Sequence, residues 1–399
     1  MAARRPARRD DRPSHAPDYL LLTAVLLLSV IGIIAVYSAS YALGERQFHD
    51  PNYFVKRQAV FMAVGLLVMA VTMRLPYHAL MRLSPLIMLA ALAGLAFVLV
   101  PGIGFEQNGA RSWIRIGGIP PLQPSEFAKF GVIVYLAAWL TAKGDQLKDL
   151  SLGVFPFVAM VGLVAALIML EGDLGTTIVV GAITGTLFFI AGARLTHTLT
   201  LATSTVLAFG VLLMTGDQYR VDRLTSFLHA ENDPQGAGFH TLQLLVAFGS
   251  GGIDGLGLGV SRQKFFYVPG AHTDGVLAII GEELGFIGTT VVIGLFMLLL
   301  ARGWMTVKRA DGQFGSLMAA GILAWIAFQA LINIGGVTRL MPLTGIPLPF
   351  VSYGGTALLA IFAATGVLLS ISRYTIEPAE ARAPVVPPRR ATSPAGGGR

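Results

Sequence analysis

The sequence predicts an all-α, polytopic membrane protein with about ten transmembrane helices. Hydrophobic residues make up 54% of the 399 residues and charged residues only 13%, about half the charged share of an average soluble domain. The apolar residues come in long blocks, and a bilayer core needs about 20 of them for each spanning helix. Because the bilayer core offers no water, backbone groups there must bond to one another, which helices achieve.

The apolar blocks predict the spanning segments. They cover residues 19–39, 58–73, 83–101, 127–141, 152–170, 174–191, 195–215, 276–301, 315–337 and 351–372. No internal repeat of the kind that marks inverted-repeat transporters is visible. We therefore expect one membrane domain over residues 18–373, a disordered basic tail at 1–17, and a second disordered tail, rich in Pro, Arg, Ala and Gly, at 374–399.

Positive charge predicts the orientation of these segments. With the N-terminus inside, the inner loops and tails hold 18 of the 29 Lys and Arg residues, which fits the excess of basic residues in cytoplasmic loops. An even number of helices then places both termini in the cytoplasm and the long segment 216–275 outside. This bias, together with contact to anionic membrane lipids, accounts for the net charge of +7, so nucleic acid is not expected as a partner.

Three outer segments, at 102–129, 216–275 and 338–355, carry the polar residues that chemistry would need. Loops longer than about 15 residues are usually functional or disordered, and the Trp, Phe and Tyr residues here favour function. The chain has no cysteine, which excludes disulfides, thiolate metal sites and thiol nucleophiles.

The first outer segment contains the tract NGARSWIRIGGIPPLQPSEFAKF. Arg111 and Arg115 flank Trp113, and the PSE triplet indicates a helix start with Ser125 as the N-cap. Lys129 then lies about one turn into a membrane helix, with no obvious acid beside it in the sequence. An ionisable group at that depth is a functional candidate. The alternative is a lysine that snorkels to the surface.

The second segment ends in GSGGIDGLGLGVSRQKFFYVPGAHTDGVLAIIGEELGFIG. Its glycines lack the strand–turn–helix frame and the Lys-Ser/Thr ending of a nucleotide loop, so we expect tight turns at the membrane surface. His272 and Asp274 lie just before the eighth helix, where a simple helix cap is the alternative for Asp274. Glu282 and Glu283 lie two turns inside and need a partner or a wet cavity.

The third segment contains NIGGVTRLMPLTGIPLPFVSYGGTALLA. Its prolines and glycines break helicity at membrane depth, which is tolerated only against protein or a water-filled cavity. Arg339 adds a fixed cation to this segment. Glu171 and Asp173 form a further acidic outer turn, for which ordinary solvated turn chemistry is the simpler interpretation.

Together these tracts resemble the signature stretches of the SEDS family of peptidoglycan glycosyltransferases. PLPFVSYGG and the pair HTD and GEELG carry the similarity, which extends through nearly the whole hydrophobic region. The resemblance implies ten helices in the bacterial inner membrane and polymerisation of lipid II into glycan strands with release of undecaprenyl diphosphate. It also implies a class B penicillin-binding protein as partner within a division or elongation complex. SRQKFFYVPGAHTD, AIIGEELG and LLLSISR are more similar to division-type members.

The resemblance also implies roles for matching residues. Asp274 falls on the aspartate that the family uses as catalytic, Lys129 on the lysine after QPSE, and Arg111 on the arginine before the tryptophan. Two positions depart from the family pattern: Gly270 stands where Glu is usual, and Gly275 where Phe is usual. These departures leave the local shape of the site open.

On this interpretation Asp274 is the general base, and Arg111 and Lys129 stabilise charge on the leaving diphosphate. The remaining candidates for substrate binding are Trp113, His272, Lys264, Arg339 and Ser352. The candidates for structural support are Glu126, Glu282, Glu283 and Asp173. No cofactor is established by the sequence. The chemistry would admit a divalent cation, Mg or Mn, but no ligand spacing defines its site.

Two other function classes stay open. Intramembrane Lys and Glu residues also fit a transporter that moves lipid II across the bilayer, and a non-catalytic scaffold of a division complex is the third class. The long outer segments have no inner counterparts, which favours one-sided chemistry over alternating access.

Overall fold

The computed structural model describes residues 15–107, 110–115, 120–215, 227–236, 238–265 and 267–375. Most of the two predicted tails and the beginning of the 216–275 segment lie outside the described residues. The described helices are, in chain order, α1 (Tyr19–Phe48), α2 (Tyr53–Arg74), α3 (His78–Leu99), α4 (Pro124–Lys143), α5 (Phe155–Leu170), α6 (Leu174–Ile190), α7 (Leu195–Thr215), α8 (Phe239–Gly251), α9 (Val276–Arg309), α10 (Gly312–Val337) and α11 (Gly355–Ser372).

The long helices confirm the predicted fold class. Among the described residues, eight helical segments are long and apolar enough to cross a bilayer: α1 to α5 and α9 to α11, where α5 is counted together with the helical turn before it, from Leu150 to Leu170. Helix α6 is apolar but shorter, with 17 residues, and α7 has 21 residues. These ten helices lie at the ten predicted segments, and α8 is an additional short helix inside the long outer segment.

Several helices extend beyond their apolar blocks. Helix α1 continues to Phe48 and α2 begins at Tyr53, because backbone hydrogen bonds continue through polar residues once a helix has formed. Helix α9 continues to Arg309 but breaks at Gly285, where φ is 66° and ψ is −160°. A residue with a Cβ rarely adopts this conformation, so the glycine lets the outer end of α9 bend away from its inner part.

Helices α4, α10 and α11 form the centre of the bundle. In their most apolar stretches 67%, 78% and 78% of the residues are buried. Around them α2 packs along α11, α3 along α4, α6 along α10 and α1 along α9. The α2–α11 contact is close because Gly366 faces Met69 and Thr72, where a Cβ would meet the Thr72 hydroxyl and the Met69 backbone. Small residues at such positions let membrane helices approach each other closely.

The two described ends of the chain lie at the same face of the bundle. The backbone N–H of His15 donates to the carbonyl of Arg373 at 3.0 Å, and Asp18 forms an ion pair with Arg302 at 2.7 Å. We call this the inner face. The opposite, outer face carries α8 and the irregular segment 338–354 between α10 and α11.

A small hairpin at the outer face was not predicted. Strands β1 (Gly104–Gln107) and β2 (Ala110–Ile114) pair antiparallel, with Phe105 opposite Trp113. A bridge from Ile114 to Leu122 ties the hairpin to the chain just before α4. Strands of four and five residues are too short to show a clear alternation in sequence, so an all-helical prediction missed them.

Candidate active site

An open cavity of about 1650 Å³ lies at the outer face. Its wall combines the hairpin, the beginning of α4, the α5–α6 turn, the outer end of α2, and the segments before α9 and α11. The sequence-predicted site residues that line it are Arg111, Trp113, Glu126, Asp173, His272 and Asp274. The others lie away from its wall: Lys129, Lys264, Glu282, Glu283, Arg339 and Ser352.

Asp274 presents its carboxylate to this cavity without capping a helix. Helix α9 has Gly275 as its N-cap residue and no side-chain cap hydrogen bond, so the helix-cap alternative is wrong. The Asp274 Oδ1 atom accepts a hydrogen bond from the Thr273 hydroxyl at 3.0 Å. The side chain is half-buried, and a carboxylate has room for about four such bonds. Asp274 can therefore accept a proton or a hydrogen bond from a ligand.

Asn333 fixes the backbone beneath Asp274, and sequence reasoning missed it. Its Nδ2 donates to the carbonyl of Asp274 at 2.9 Å and to that of Ile346 at 2.8 Å. Asn333 is buried on α10. A buried amide in an apolar helix is costly unless it is hydrogen-bonded. A polar amide within an apolar helix was therefore the sequence signal that could have identified Asn333. Its two hydrogen bonds join the segment before α9 to the segment before α11.

The departure at Gly270 has a structural explanation. Gly270 has φ of +64°, and a Cβ there would collide with the Asp274 carboxylate and lie 2.9 Å from the Thr273 hydroxyl. Gly275 donates its N–H to the Gly270 carbonyl at 3.1 Å, which closes the turn. A side chain at 270 would thus displace the Asp274 carboxylate, so this turn depends on glycine.

His272 belongs to an aromatic wall beside Asp274. Its ring lies 4.7 Å from that of Phe54 and 5.4 Å from that of Tyr353. Its carbonyl accepts the Tyr353 N–H at 2.9 Å. Burial lowers the pKa of His272 to about 4. The ring is therefore neutral at pH 7 and does not contribute a positive charge to the cavity.

The positive charge in the cavity comes from arginines. Arg111 is held by a bond from its Nε to the Gly104 carbonyl at 3.1 Å, and its backbone N–H donates to the Glu171 carbonyl at 2.8 Å. Arg115 and Arg57 also line the cavity. The sequence analysis did not identify Arg57, although its position near the outer end of the second helix could have indicated a site residue.

Lys129 lies beneath the cavity and has an acidic partner. Its Nζ is 2.8 Å from Glu126 Oε1 and 3.1 Å from Gln329 Oε1, and 4.9 Å from the centre of the Trp325 ring. The side chain is 1% exposed, so Lys129 does not snorkel, and the assumption that no acid lies beside it was wrong. Glu126, the partner of Lys129, lines the cavity. Its Oε2 atom has no hydrogen-bond partner among the described residues.

The predicted N-cap of this helix was also wrong. Helix α4 begins at Pro124 with Gln123 as its N-cap residue, and Ser125 is buried inside the first turn. Proline at the first helical position has the required φ and lacks only an N–H that the helix does not use.

Glu282 and Glu283 find the partners that their depth requires. Glu283 Oε1 pairs with Lys264 Nζ at 3.0 Å and accepts the Ser38 hydroxyl at 2.6 Å. Glu282 accepts the Ser261 hydroxyl and the next two backbone N–H groups. We call these residues, with Lys264, the closed cluster. The ammonium group of Lys264 is bound by protein groups in this cluster. Its assignment to substrate binding stays a prediction.

Arg339 is also engaged in protein contacts. Its guanidinium contacts Glu231 at 2.5 Å and donates from Nε to the Phe227 carbonyl at 3.1 Å. It therefore ties the segment after α10 to the long outer segment. This pair lies near the protein surface, and substrate contact by Arg339 stays a prediction.

Asp173 and Ser352 shape the backbone around the cavity. Asp173 caps α6 by accepting the Thr176 N–H at 2.9 Å, and it also accepts from Gln123 Nε2 at 3.0 Å. Ser352 Oγ accepts the Leu348 N–H at 2.8 Å within the PLPF tract. These bonds support a structural role for Asp173.

Among the residues that the structure describes, no three His, Asp or Glu side chains meet as a metal site. Participation of a divalent cation stays a prediction.

Comparisons with known proteins place the chain in a family. The model of the cell cycle protein family of FtsW, RodA and SpoVE matches residues 18–377. The chain is 44% identical over 361 residues to stage V sporulation protein E of Bacillus subtilis strain 168, covering 90% of this chain and 98% of that protein. It is 41% identical over 355 residues to a probable peptidoglycan glycosyltransferase FtsW of Trichlorobacter lovleyi, covering 89% and 93%.

Solved structures agree with this placement. A chain of a peptidoglycan synthase complex that coordinates polymerization and crosslinking matches with a TM-score of 0.74 and 28% identity, over 90% of this chain and 98% of that one. The rod shape determining protein RodA of Thermus thermophilus matches with a TM-score of 0.65 and 28% identity, over 90% and 99%. The chain belongs to the FtsW, RodA and SpoVE family of cell cycle proteins, which is the SEDS family.

Proposed function

We propose that this chain polymerises lipid II in the outer cavity, with Asp274 as the general base. The chain is a multi-pass membrane protein and a peptidoglycan glycosyltransferase of division or elongation. One observation supports the assignment of the base: Asp274 lines the cavity, and its side chain is not used to cap α9. Among its relatives, those named FtsW and stage V sporulation protein E support a role in division over one in elongation.

The reaction requires a base and a cation from the cavity wall. An acceptor sugar hydroxyl attacks the anomeric carbon of a second lipid II, Asp274 takes the hydroxyl proton, and undecaprenyl diphosphate leaves. A general base contributes about 10²–10⁴-fold. Arg111 lies in the wall where it can stabilise the leaving diphosphate, since a guanidinium binds phosphate oxygens in pairs. Lys129 supports this chemistry by holding Glu126 rather than by direct contact.

The experiment that tests this function is polymerisation by the purified chain. In lipid nanodiscs with lipid II, we expect glycan strands and free undecaprenyl diphosphate, and no strands with Asp274→Asn. Transfer of lipid II between leaflets without strands would indicate the transporter class. Absence of both, with and without a partner, would indicate the scaffold class.

The proposal includes a class B penicillin-binding protein as partner, in a division complex. The similarity to a chain of a peptidoglycan synthase complex supports it. We expect turnover to rise when the class B protein of the same cell is co-purified. Equal turnover with every such protein of that cell would count against the partnership.

We also propose that the inner face is cytoplasmic, so that both termini lie inside the cell. The basic loops support this orientation. Because the chain has no cysteine, the single variants Glu45→Cys and Asp145→Cys report it cleanly. We expect an impermeant thiol reagent to label intact cells at position 45, beside the cavity, and not at 145. The reverse pattern would overturn the orientation.

A further inference from the structure

Glu171, in the α5–α6 turn, is a buried acid for which the proposed mechanism has no use. Its residue exposure is 1%, it lines the cavity, and neither carboxyl oxygen has a hydrogen-bond partner among the described residues. Leaving a buried polar group unpaired costs about 1–3 kcal/mol. Native structures rarely accept that cost without a reason, such as a partner that binds during function.

The neighbouring acid is different, although it lies two residues away. Asp173 caps α6 and accepts from Gln123, so its oxygens are used. Glu171 contributes only its backbone to the same region, through the bond from the Arg111 N–H to its carbonyl at 2.8 Å. The side chain of Glu171 is therefore placed at the cavity wall by Arg111 but is not satisfied there.

The charge state of Glu171 indicates which chemical groups its carboxyl can bind. Burial, and secondarily the nearby Asp173, raises the pKa of its carboxyl to about 8. Among the described residues, the charged or titratable side chains that line the same cavity are Tyr53, Arg57, Glu106, Arg111, Arg115, Glu126, Asp173, His240, His272, Asp274 and Tyr353. At pH 7 Glu171 is thus mostly a neutral carboxylic acid, which has both a donor and an acceptor. A neutral acid suits uncharged sugar groups and does not repel a diphosphate beside it.

We propose that the Glu171 carboxyl, in its protonated form, is a hydrogen-bonding site for the hydroxyl and acetamido oxygens of the substrate's sugars. This inference rests on the proposed function, because lipid II supplies those sugars. Asp274 and Glu171 then divide the work of two acids in one cavity. The half-buried Asp274 takes a proton, and the buried Glu171 holds the saccharide.

The test is equilibrium binding of lipid II to Glu171→Gln and Glu171→Ala in nanodiscs, together with KM and kcat. We expect the alanine variant to bind about ten-fold more weakly, as for one lost buried hydrogen bond. Glutamine keeps a neutral donor and acceptor, so we expect a smaller loss of about three-fold. KM should change more than kcat in both variants. The matched controls are Glu45→Gln and Glu45→Ala, since Glu45 is exposed at the same face and does not line the cavity.

A pH series gives the second measurement. Because only the protonated acid donates, wild-type affinity should fall as the pH rises above about 8, and the glutamine variant should lose that part of the pH dependence. If the alanine variant does not fold, the glutamine series alone decides. A glutamine variant that keeps the alkaline loss would overturn the inference.

The remaining outcomes separate this inference from the proposed function. Wild-type affinity in Glu171→Ala would mean that Glu171 binds structural water, and the inference fails. Equal losses of affinity in the glutamine and alanine variants would indicate that the carboxylate itself is needed, as for a bound cation, and the inference also fails. In both cases wild-type polymerisation leaves the proposed function standing. If the wild-type protein neither binds nor polymerises lipid II, the proposed function fails and this inference with it.

Discussion

The cavity and the closed cluster sit at the two ends of one short stretch of α9, and they use acids in opposite ways. Asp274, just before the helix, accepts one side-chain hydrogen bond and faces open space. Glu283, two turns further, is 3% exposed and is bound by Lys264 and Ser38. Acids with all their hydrogen bonds made hold the fold, whereas acids with capacity left can act on a ligand.

The largest expected effect is on the chemical step at Asp274. We expect Asp274→Asn to lower polymerisation by about 10²–10⁴-fold, the usual contribution of a general base, while lipid II binding and thermal stability stay near wild type. Asparagine keeps the size of the side chain and its bond to Thr273, but cannot take a proton.

Glu282→Gln is the comparison for this prediction. We assign Glu282 to structure, because it binds the turn at Ser261. We therefore expect lower stability and a turnover that survives in the folded fraction. If Glu282→Gln is inactive but fully folded, while Asp274→Asn polymerises normally, the assignment of the base moves to Glu282.

The next effect is on stability, in the closed cluster. Glu283→Gln leaves Lys264 as a buried charge without its acid, which typically costs about 3–5 kcal/mol. We expect a clear loss in the free energy of unfolding, measured by denaturation in mild detergent. The double variant Lys264→Met/Glu283→Gln removes the stranded charge and should recover most of the loss. Equal losses in the single and double variants would contradict the pairing.

A third effect is the pH dependence from His272. Burial holds its pKa near 4, below the ordinary 6.5. A depressed folded pKa means that the stabilisation is fully present above pH 6.5 and is lost as the pH falls towards 4. We expect His272→Gln to be less stable than wild type at pH 7, and the difference to shrink by pH 4. A constant difference across that range would show that His272 does not titrate in this way.

The smallest effect should come from Arg339. Its partner Glu231 has a side chain that is 63% exposed, and exposed ion pairs contribute little. We expect Arg339→Ala to speed hydrogen exchange at residues 227–232 while changing the thermal midpoint only slightly. Turnover should fall far less than in Asp274→Asn. A loss of turnover as large as that would restore Arg339 to the substrate contacts.

Sequence patterns located the acids and cations but not their environments. The HTD and QPSE tracts pointed to Asp274 and Lys129, and both lie beside or beneath the outer cavity. The sequence was interpreted with Lys129 as an unpaired cation. Spacing alone did not indicate that the side chain of Glu126, one helical turn earlier, would form an ion pair with it. Asn333 and Arg57 went unnoticed because single polar residues near helix ends have many ordinary explanations.

The sequence by itself determined the membrane class, the ten helices and the positions of the three long segments between them, because long apolar blocks act locally along the chain. Only the tertiary structure decided which ionisable residues face the cavity. That choice depends on how distant segments pack. Asn333 on α10 positions Asp274, Ser38 on α1 helps enclose Glu283, and the hairpin brings Arg111 to Glu171. Burial and hydrogen bonding between such segments set the charge of each group and the hydrogen bonds that it can still make to a ligand. These long-range contacts are not encoded in any local sequence pattern.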